Sequence, residues 1–518
     1  MKKISRRNFL HSSAVAAGVA AVSTLAACSS TASSTTASSS STSETTSWDY
    51  EADAVIVGGG GTGLAAGRAA VDAGASVIIL EKAGITGGTT TFSGGVMQAA
   101  GTSYQKELTS FGSDTPANHA NEWIAEGEGY VDEELVKALA EGAPAIIDWE
   151  AELPEIKWVS VYGHCHVPTV PRELEADRIH VYEGGGAAGQ GGVLTSALAN
   201  YCKEKGVNIM TNTAATRLIT ENGEVIGVEA ETEEKVIRVK AKKGVILAAA
   251  SVDQNKEMAK RLAPQQYWAL ENGTCMCVAG DTGDGLRMGM EIGADLYGQG
   301  GTIDFCGTTG NATNNTIPTM PCIIVNKAGQ RFVCEDATYA YQYRAIFQQE
   351  KQLGGKTYMV FGQEALSDPG AIWTAETVAD AVAAGTLLSA DTLEELAAAM
   401  DCDAANLAAS VASWNEMVSA TGEDRVFGRR TGLNTITGPF YAMMNVPCNL
   451  GSIVGLRINA NCQVLDVNGQ PISRLYAGGM NAGGWIGPYY PGSGTAIIGT
   501  QYHGKVCGEQ VAALTAWC

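Results

Sequence analysis

The chain has 518 residues, 45% hydrophobic and 17% charged, with a formal charge of −21. That length and balance belong to a globular protein with a large buried core and exclude a fibrous or wholly disordered chain. So acidic a surface repels phosphate backbones, which excludes nucleic acid as a partner.

In chain order, the first segment reads as an address rather than as fold. Arg6 and Arg7 precede an apolar, small-residue stretch from Ala14 to Ala27. The arrangement resembles a twin-arginine export signal, and the stretch is short for a membrane span. It ends in "LAAC", Leu25–Cys28, which resembles a lipobox. Residues 1–27 are therefore expected to be removed and Cys28 to carry a lipid, leaving an even more acidic protein. Residues 28–48 are rich in Ser and Thr, too polar to pack, and read as a flexible tether. The expected location is the outer face of the cytoplasmic membrane, reached in folded form. An uncleaved disordered tail is the alternative.

Asp53–Lys82 then reads as strand, glycine turn, helix and strand. Ala54–Val57 is apolar, Leu64–Ala73 is helical up to Gly74, and Ser76–Leu80 is a second strand. Gly58, Gly60 and Gly63 form G-x-G-x-x-G, with Gly61 and Thr62 completing the turn. The first glycine permits a tight turn, the second lets backbone approach a pyrophosphate, and the third allows close helix–strand packing. Glu81 ends the second strand, where it can accept hydrogen bonds from an adenosine ribose, with Lys82 beside it. Together these features predict dinucleotide binding.

Gly84–Gly95, "GITGGTTTFSGG", supplies Gly88, Thr89, Thr90, Ser93, Gly94 and Gly95 where more of the dinucleotide can lie. Val207–Glu231, which contains Ala214, alternates as strands around the turn 221–223, and Lys242–Ser251 is an apolar strand. In Gly280–Leu296 a glycine turn opens a helix near Asp284. Thr374–Met400 reads as helical scaffolding. Arg474–Gly484 is a strand entering a glycine turn at Gly479, and a helix follows from Thr495, with Ala496 and Ile497, to Leu514.

Twelve cysteines follow Cys28 without a C-x-x-C, so covalent haem is excluded and buried thiols are expected. An iron–sulfur cluster built from distant cysteines stays open as an additional cofactor. His164 and His166 lack an evident acidic partner, and no metal site is expected there.

From about Tyr50 to the end the chain resembles the flavoproteins of the fumarate reductase and 3-ketosteroid dehydrogenase group. "GGGGTG", Glu81, "GGTTTFSGG", "GDTGDG", "RFVCE" and "YAGGMNAGG" carry the resemblance. "GVILAAASVDQNKEMAK" and "FGRR" also resemble secreted, cardiac-glycoside-reductase-like flavin reductases of gut actinobacteria. The resemblance implies an α/β fold: a Rossmann-like FAD-binding domain, split in sequence as 49–301 and 435–518, with an inserted α+β capping domain at 302–434. No flavin-linking histidine stands near "GGTTTFSGG", so the FAD is expected to be non-covalent.

Against the fumarate reductase pattern, the acid-catalyst arginine position holds Tyr339, a histidine position holds Ile486, and a second arginine position holds Tyr490. Thr302–Asp304 stands where another histidine is expected. The clamp for a dicarboxylate is gone, and fumarate is excluded as substrate. "YYPGSG", Tyr489–Gly494, resembles the Y-P-G-x-G stretch of ketosteroid dehydrogenases. It implies that the Tyr490 hydroxyl and the Gly494 N–H hold a ketone oxygen, with Tyr339 as the catalytic tyrosine. Tyr162 falls where that family keeps a supporting tyrosine. Tyr341, Tyr343 and Arg344 crowd the same segment as Tyr339, and an Arg344 in the site would return an unsaturated carboxylate as substrate.

The expected function is an exported FAD-dependent ene-reductase of an enone, steroid-like or other, fed by a separate cytochrome or quinol-linked donor. A desaturating ketosteroid-type dehydrogenase and a non-catalytic electron-transfer lipoprotein are the rivals.

Overall fold

The computed structural model describes residues 47–163, 166–298, 301–307 and 317–517, with only the backbone of 305–307. The leader, Cys28, the tether up to residue 46, His164 and Cys165 lie outside the described residues. The fold described below runs from Trp48 onward.

β1 (Tyr50–Val57) is apolar at every position from Ala54 to Val57, as expected of a strand covered on both faces. It is longer than the apolar run alone suggests, because Tyr50–Ala52 pair with Val239–Ala241. A glycine turn leads into α1 (Gly61–Asp72), and β2 (Val77–Leu80) returns parallel to β1, with Val57 opposite Leu80. The eight-stranded sheet has the order Gln463–Leu465, Pro471–Ala477, Glu224–Glu231, Val236–Leu247, β1, β2, Asn208–Met210. Ala214–Glu221 pairs with Glu224–Glu231, and Pro471–Ala477 also runs parallel to Val236–Leu247. Strands from both ends of the chain thus share one sheet.

The parallel strands all finish on one edge. Backbone bonds carry the pattern one residue further: Gly58 N to Leu80 O, Ala248 N to Val57 O, Gly478 N to Leu247 O. Open α/β sheets bind ligands beyond such carboxyl ends. The helix Thr495–Ala513 lies on α1 so closely that Gly504 and Gly508 meet the α1 backbone.

A second, antiparallel sheet has the order Ile323–Val325, Tyr358–Gly362, Phe440–Met444, Leu388–Ala390. The helices Tyr339–Leu353, Leu393–Met400 and Ala404–Thr421 lie in this part of the chain. Phe440–Met444 is one of its inner strands, although it follows residue 434. Thr302–Gly307 pairs instead with Val446–Ser452, outside this sheet. The run Thr374–Met400 is likewise not purely helical. Helix Val378–Ala383 is followed by Leu388–Ala390, an edge strand whose pairing with Phe440–Met444 local pattern could not reveal. No helix among the described residues is long and apolar enough to cross a membrane.

Buried carboxyls, Glu150 and Asp304 among them, contribute a pH dependence. Glu150 is fully buried 3.7 Å from Arg68, and burial pushes it up to about 8 despite that guanidinium. Burial pushes Asp304 up to about 6, with Thr302, Gln265 and Asn449 donating to it. Both values lie above those of an unfolded chain, so the fold holds protons that the unfolded chain has released. This stability is complete at acid pH and is lost as pH rises through about 6 and then about 8. Melting temperature is expected to fall between about pH 5 and 8, and Glu150→Gln should flatten the decline. An unchanged slope in that variant would contradict the assignment.

Candidate active site

A cavity of about 1090 Å³ opens beyond the carboxyl edge of the main sheet. Gly58, Gly60, Gly61, Thr62, Glu81, Lys82, Gly88, Thr89, Thr90, Ser93, Gly94, Gly95, Asp284, Ala496 and Ile497 all line it, as do Tyr339, Tyr490 and Gly494.

Four expected cofactor contacts stand back from the cavity wall. Gly63 faces the turn: a Cβ there would sit 1.8 Å from Gly58 O. Ala214 yields to Ala215, its neighbour on the other face of the strand. Gly479 is backed by Thr62, while Gly478 and Met480 reach the cavity. Thr495 is buried at the start of its helix, beside the Tyr490 hydroxyl.

Gly58 has φ +104, a left-handed conformation that favours glycine, and its missing Cβ would lie 2.3 Å from Ala248 O. At Gly60 a Cβ would meet no protein atom closer than 3.9 Å. That space faces the cavity. Glu81 is held by backbone, with Oε2 accepting from Gly59 N at 2.7 Å and Oε1 from Ala83 N at 2.7 Å. Lys82 pairs with Asp284 at 2.9 Å. A fixed acid, a glycine turn and the N-terminal ends of two helices suit a ribose and its phosphates.

Sequence reasoning missed several further wall residues, Met276, Val278, Ala279 and Asp281 among them. Asp281 accepts a hydrogen bond from Thr89 Oγ1 at 2.6 Å. Burial, then the neighbouring Asp253, pushes it up to about 8, so a neutral carboxyl faces the cavity below that pH. Its place in "GDTGDG" was the available signal. Tyr162, Ile303, Leu450 and Ala248–Ala250 also line the wall.

The tyrosines separate by role. Tyr490 is 4% exposed, and its hydroxyl accepts from Ala496 N at 2.8 Å, in the first turn of the Thr495–Ala513 helix. Burial raises its pKa, tempered by the N–H groups of Ala496 and Gly494, so the hydroxyl stays neutral and keeps its own proton to donate. Gly494 caps that helix at φ +93, where a side chain would strike the backbone of Met97 and Gln98. The Tyr339 ring lies 6.2 Å from that of Tyr490, and its hydroxyl is 3.3 Å from Ser493 Oγ.

The other candidates on the Tyr339–Leu353 helix turn elsewhere. Tyr341 packs edge-on against Tyr489 at 5.4 Å, and Tyr343 donates to Val446 O at 2.8 Å. Arg344 does not line the cavity, contrary to its inclusion among the catalytic candidates. It pairs with Glu128 at 2.6 Å and lies over the Tyr489 ring, because each helical residue turns about 100° from the last. Among the described residues, Lys82 is the one cation lining the cavity.

A family model described as "FAD binding domain" matches residues 53–497. The chain belongs to that family. The chain is similar to digoxin reductase of Eggerthella lenta, 31% identical over 91% of this chain and 88% of that protein. It is similar also to urocanate reductase of Eggerthella lenta, 31% identical over 90% of this chain and 75% of the relative. Among solved structures, 3-ketosteroid-Δ4-(5α)-dehydrogenase from Rhodococcus jostii RHA1, in complex with 4-androstene-3,17-dione, has a TM-score of 0.77 and 27% identity. The match covers 91% of this chain and 99% of that one. The cradle around Gly58, Gly60 and Glu81 fits the FAD of this family.

Among the described residues, the nine cysteines recorded are free thiols, buried or half-buried. Each of the two clusters of metal-ligating side chains among the described residues holds a single cysteine, which gives no support to an iron–sulfur cluster.

Proposed function

We propose that this protein is an exported, FAD-dependent ene-reductase that reduces a carbon–carbon double bond conjugated to a carbonyl, in a steroid-like or other enone. One observation carries the reading: neutral hydroxyls line the cavity where a carboxylate clamp would need guanidinium groups, and the only lining cation among the described residues is paired with Asp284.

Gly58, Gly60, Thr62, Glu81 and the N-terminal end of the Thr495–Ala513 helix would hold the FAD without a covalent link. The chemistry that FAD would supply there is hydride transfer to the β-carbon of the enone. Negative charge then develops on the carbonyl oxygen, where Tyr490 can donate its hydroxyl proton in a hydrogen bond. Such a placed donor contributes about 3–4 kcal/mol in a site that excludes water. Tyr339 would give a proton to the α-carbon, and general acid catalysis of this kind contributes roughly 10²–10⁴-fold. Ser493, next to the Tyr339 hydroxyl, steadies it. Ile303, Leu450 and Met276 offer an apolar wall suited to a hydrocarbon skeleton.

The relatives named as reductases support the reducing direction. The likeness to a ketosteroid dehydrogenase favours a second reading, desaturation beside a ketone, since the same donors serve both directions. The leader supports export and attachment through Cys28, and with no haem motif in the chain a separate cytochrome or quinol-linked donor would supply electrons.

Chemically reduced enzyme, mixed in a stopped-flow instrument with steroid enones, cinnamates and fumarate, should be re-oxidised by an enone and not by fumarate. Re-oxidation by none of them would reject the reductase reading.

A further inference from the structure

We propose that His166, Cys334 and Asp336 form a binding site for one zinc(II) ion, which ties the loop after the Trp158–Tyr162 strand to the loop before the Tyr339–Leu353 helix. The three residues come from segments about 170 positions apart, and all are buried. Cys334 Sγ lies 3.1 Å from Asp336 Oδ1, His166 Nε2 lies 3.7 Å from that oxygen, and Nε2 lies 3.7 Å from Sγ. Zinc bond lengths of about 2.0–2.3 Å in a tetrahedron put neighbouring donors about 3.3–3.8 Å apart. The three atoms already stand near three corners of such a tetrahedron.

The surroundings fit ligands held in place. Asp336 Oδ2 accepts from Arg430 N at 2.9 Å, Thr431 N at 2.8 Å and Thr431 Oγ1 at 2.9 Å, which leaves Oδ1 turned toward the cluster. The His166 ring also hydrogen-bonds the backbone of Gly428, and Thr338 N donates to His166 O at 3.2 Å. Outer partners of this kind orient metal ligands and fix the histidine tautomer. A Cys–His–Asp proton relay would use opposite ring nitrogens, whereas here both contacts converge on Nε2. Thiolate with imidazole and carboxylate is a donor set suited to zinc.

The Cys334 S–H donates to Asp336 Oδ1 and lies in the field of that carboxylate. A divalent ion reverses that field. Binding exchanges the S–H bond for a zinc–sulfur bond and releases one proton per ion. Tyr162, four residues before His166, and Tyr339, three residues after Asp336, both line the cavity. The ion would therefore brace two walls of the active site from behind.

The test uses the full flavin-loaded chain, stripped by a chelator and titrated with zinc(II), then with cobalt(II). Wild type should take up one ion per chain, release one proton and give the visible bands of tetrahedral cobalt with a thiolate charge-transfer band. His166→Ala and Cys334→Ser should each weaken binding by more than the roughly 10–100-fold that losing an outer partner costs. Flavin content and melting temperature report whether each variant folds, and His166→Gln serves if Cys334→Ser does not. Cys277→Ser, in the separate Asp253–Cys277–Asp281 cluster, should leave the ion in place. Absence of a stoichiometric ion in wild type, a cobalt spectrum without the thiolate band, or zinc retained by every folded variant at His166 and Cys334 overturns the proposal.

Discussion

Tyr490→Phe is expected to lower the rate of enone reduction by roughly 10²–10³-fold while flavin content stays at the wild-type level. The ring packs in the main core and remains in the variant, so the fold is kept. What disappears is one hydroxyl oxygen, held at 2.8 Å by Ala496 N, and with it the proton it can give to the substrate oxygen. The loss should appear in kcat as well as in kcat/KM, because the hydrogen bond strengthens as the oxygen becomes an anion. Tyr489→Phe supplies the contrast. Tyr489 is buried away from the cavity against Tyr341, and its loss should leave the chemical step nearly untouched. Equal turnover in wild type and Tyr490→Phe would remove Tyr490 from the chemical step, and no enone turnover in either would favour the non-catalytic electron-transfer reading.

Gly63→Ala is expected to leave the protein without bound flavin and strongly destabilised. The added carbon would sit 1.8 Å from Gly58 O and 3.0 Å from Gly58 C, both main-chain atoms that no rotamer change can move aside. α1 would have to lift from β1, at a cost at or above the roughly 1–3 kcal/mol usual for overpacking. Gly60→Ala separates folding from binding. Its new carbon meets no protein atom closer than 3.9 Å, so the flavin-free protein should melt as wild type does. The same carbon projects toward the space assigned to the dinucleotide, and FAD affinity should fall. Calorimetry of flavin-free protein and FAD titration distinguish the two outcomes. Full flavin occupancy in Gly60→Ala would show that the cofactor does not approach this turn.

Much of the site was readable because its signals are local. The turn at Gly58–Gly63, the acid at Glu81 and the glycine opening the last helix are each set by a few adjacent residues. Backbone sterics leave such turns few alternatives. The same local reasoning slipped by one residue at Ala214, where strand pleat decides which neighbour faces the cavity. It could not choose among Tyr339, Tyr341, Tyr343 and Arg344, since one helix presents all four and only its packing selects the face. Glu128, more than two hundred positions earlier, takes the Arg344 guanidinium and leaves Tyr339 to the cavity.

From its sequence alone, then, this protein was committed to a dinucleotide-binding βαβ unit and to a substrate pocket rich in hydroxyls. Tertiary structure decided which tyrosine meets the cavity, which strands share the second sheet, and that His166 has an acidic partner in Asp336. Short-range periodicity and turn sterics act within a few residues of the chain. Convergence of distant segments depends on how whole elements pack, which no local window contains.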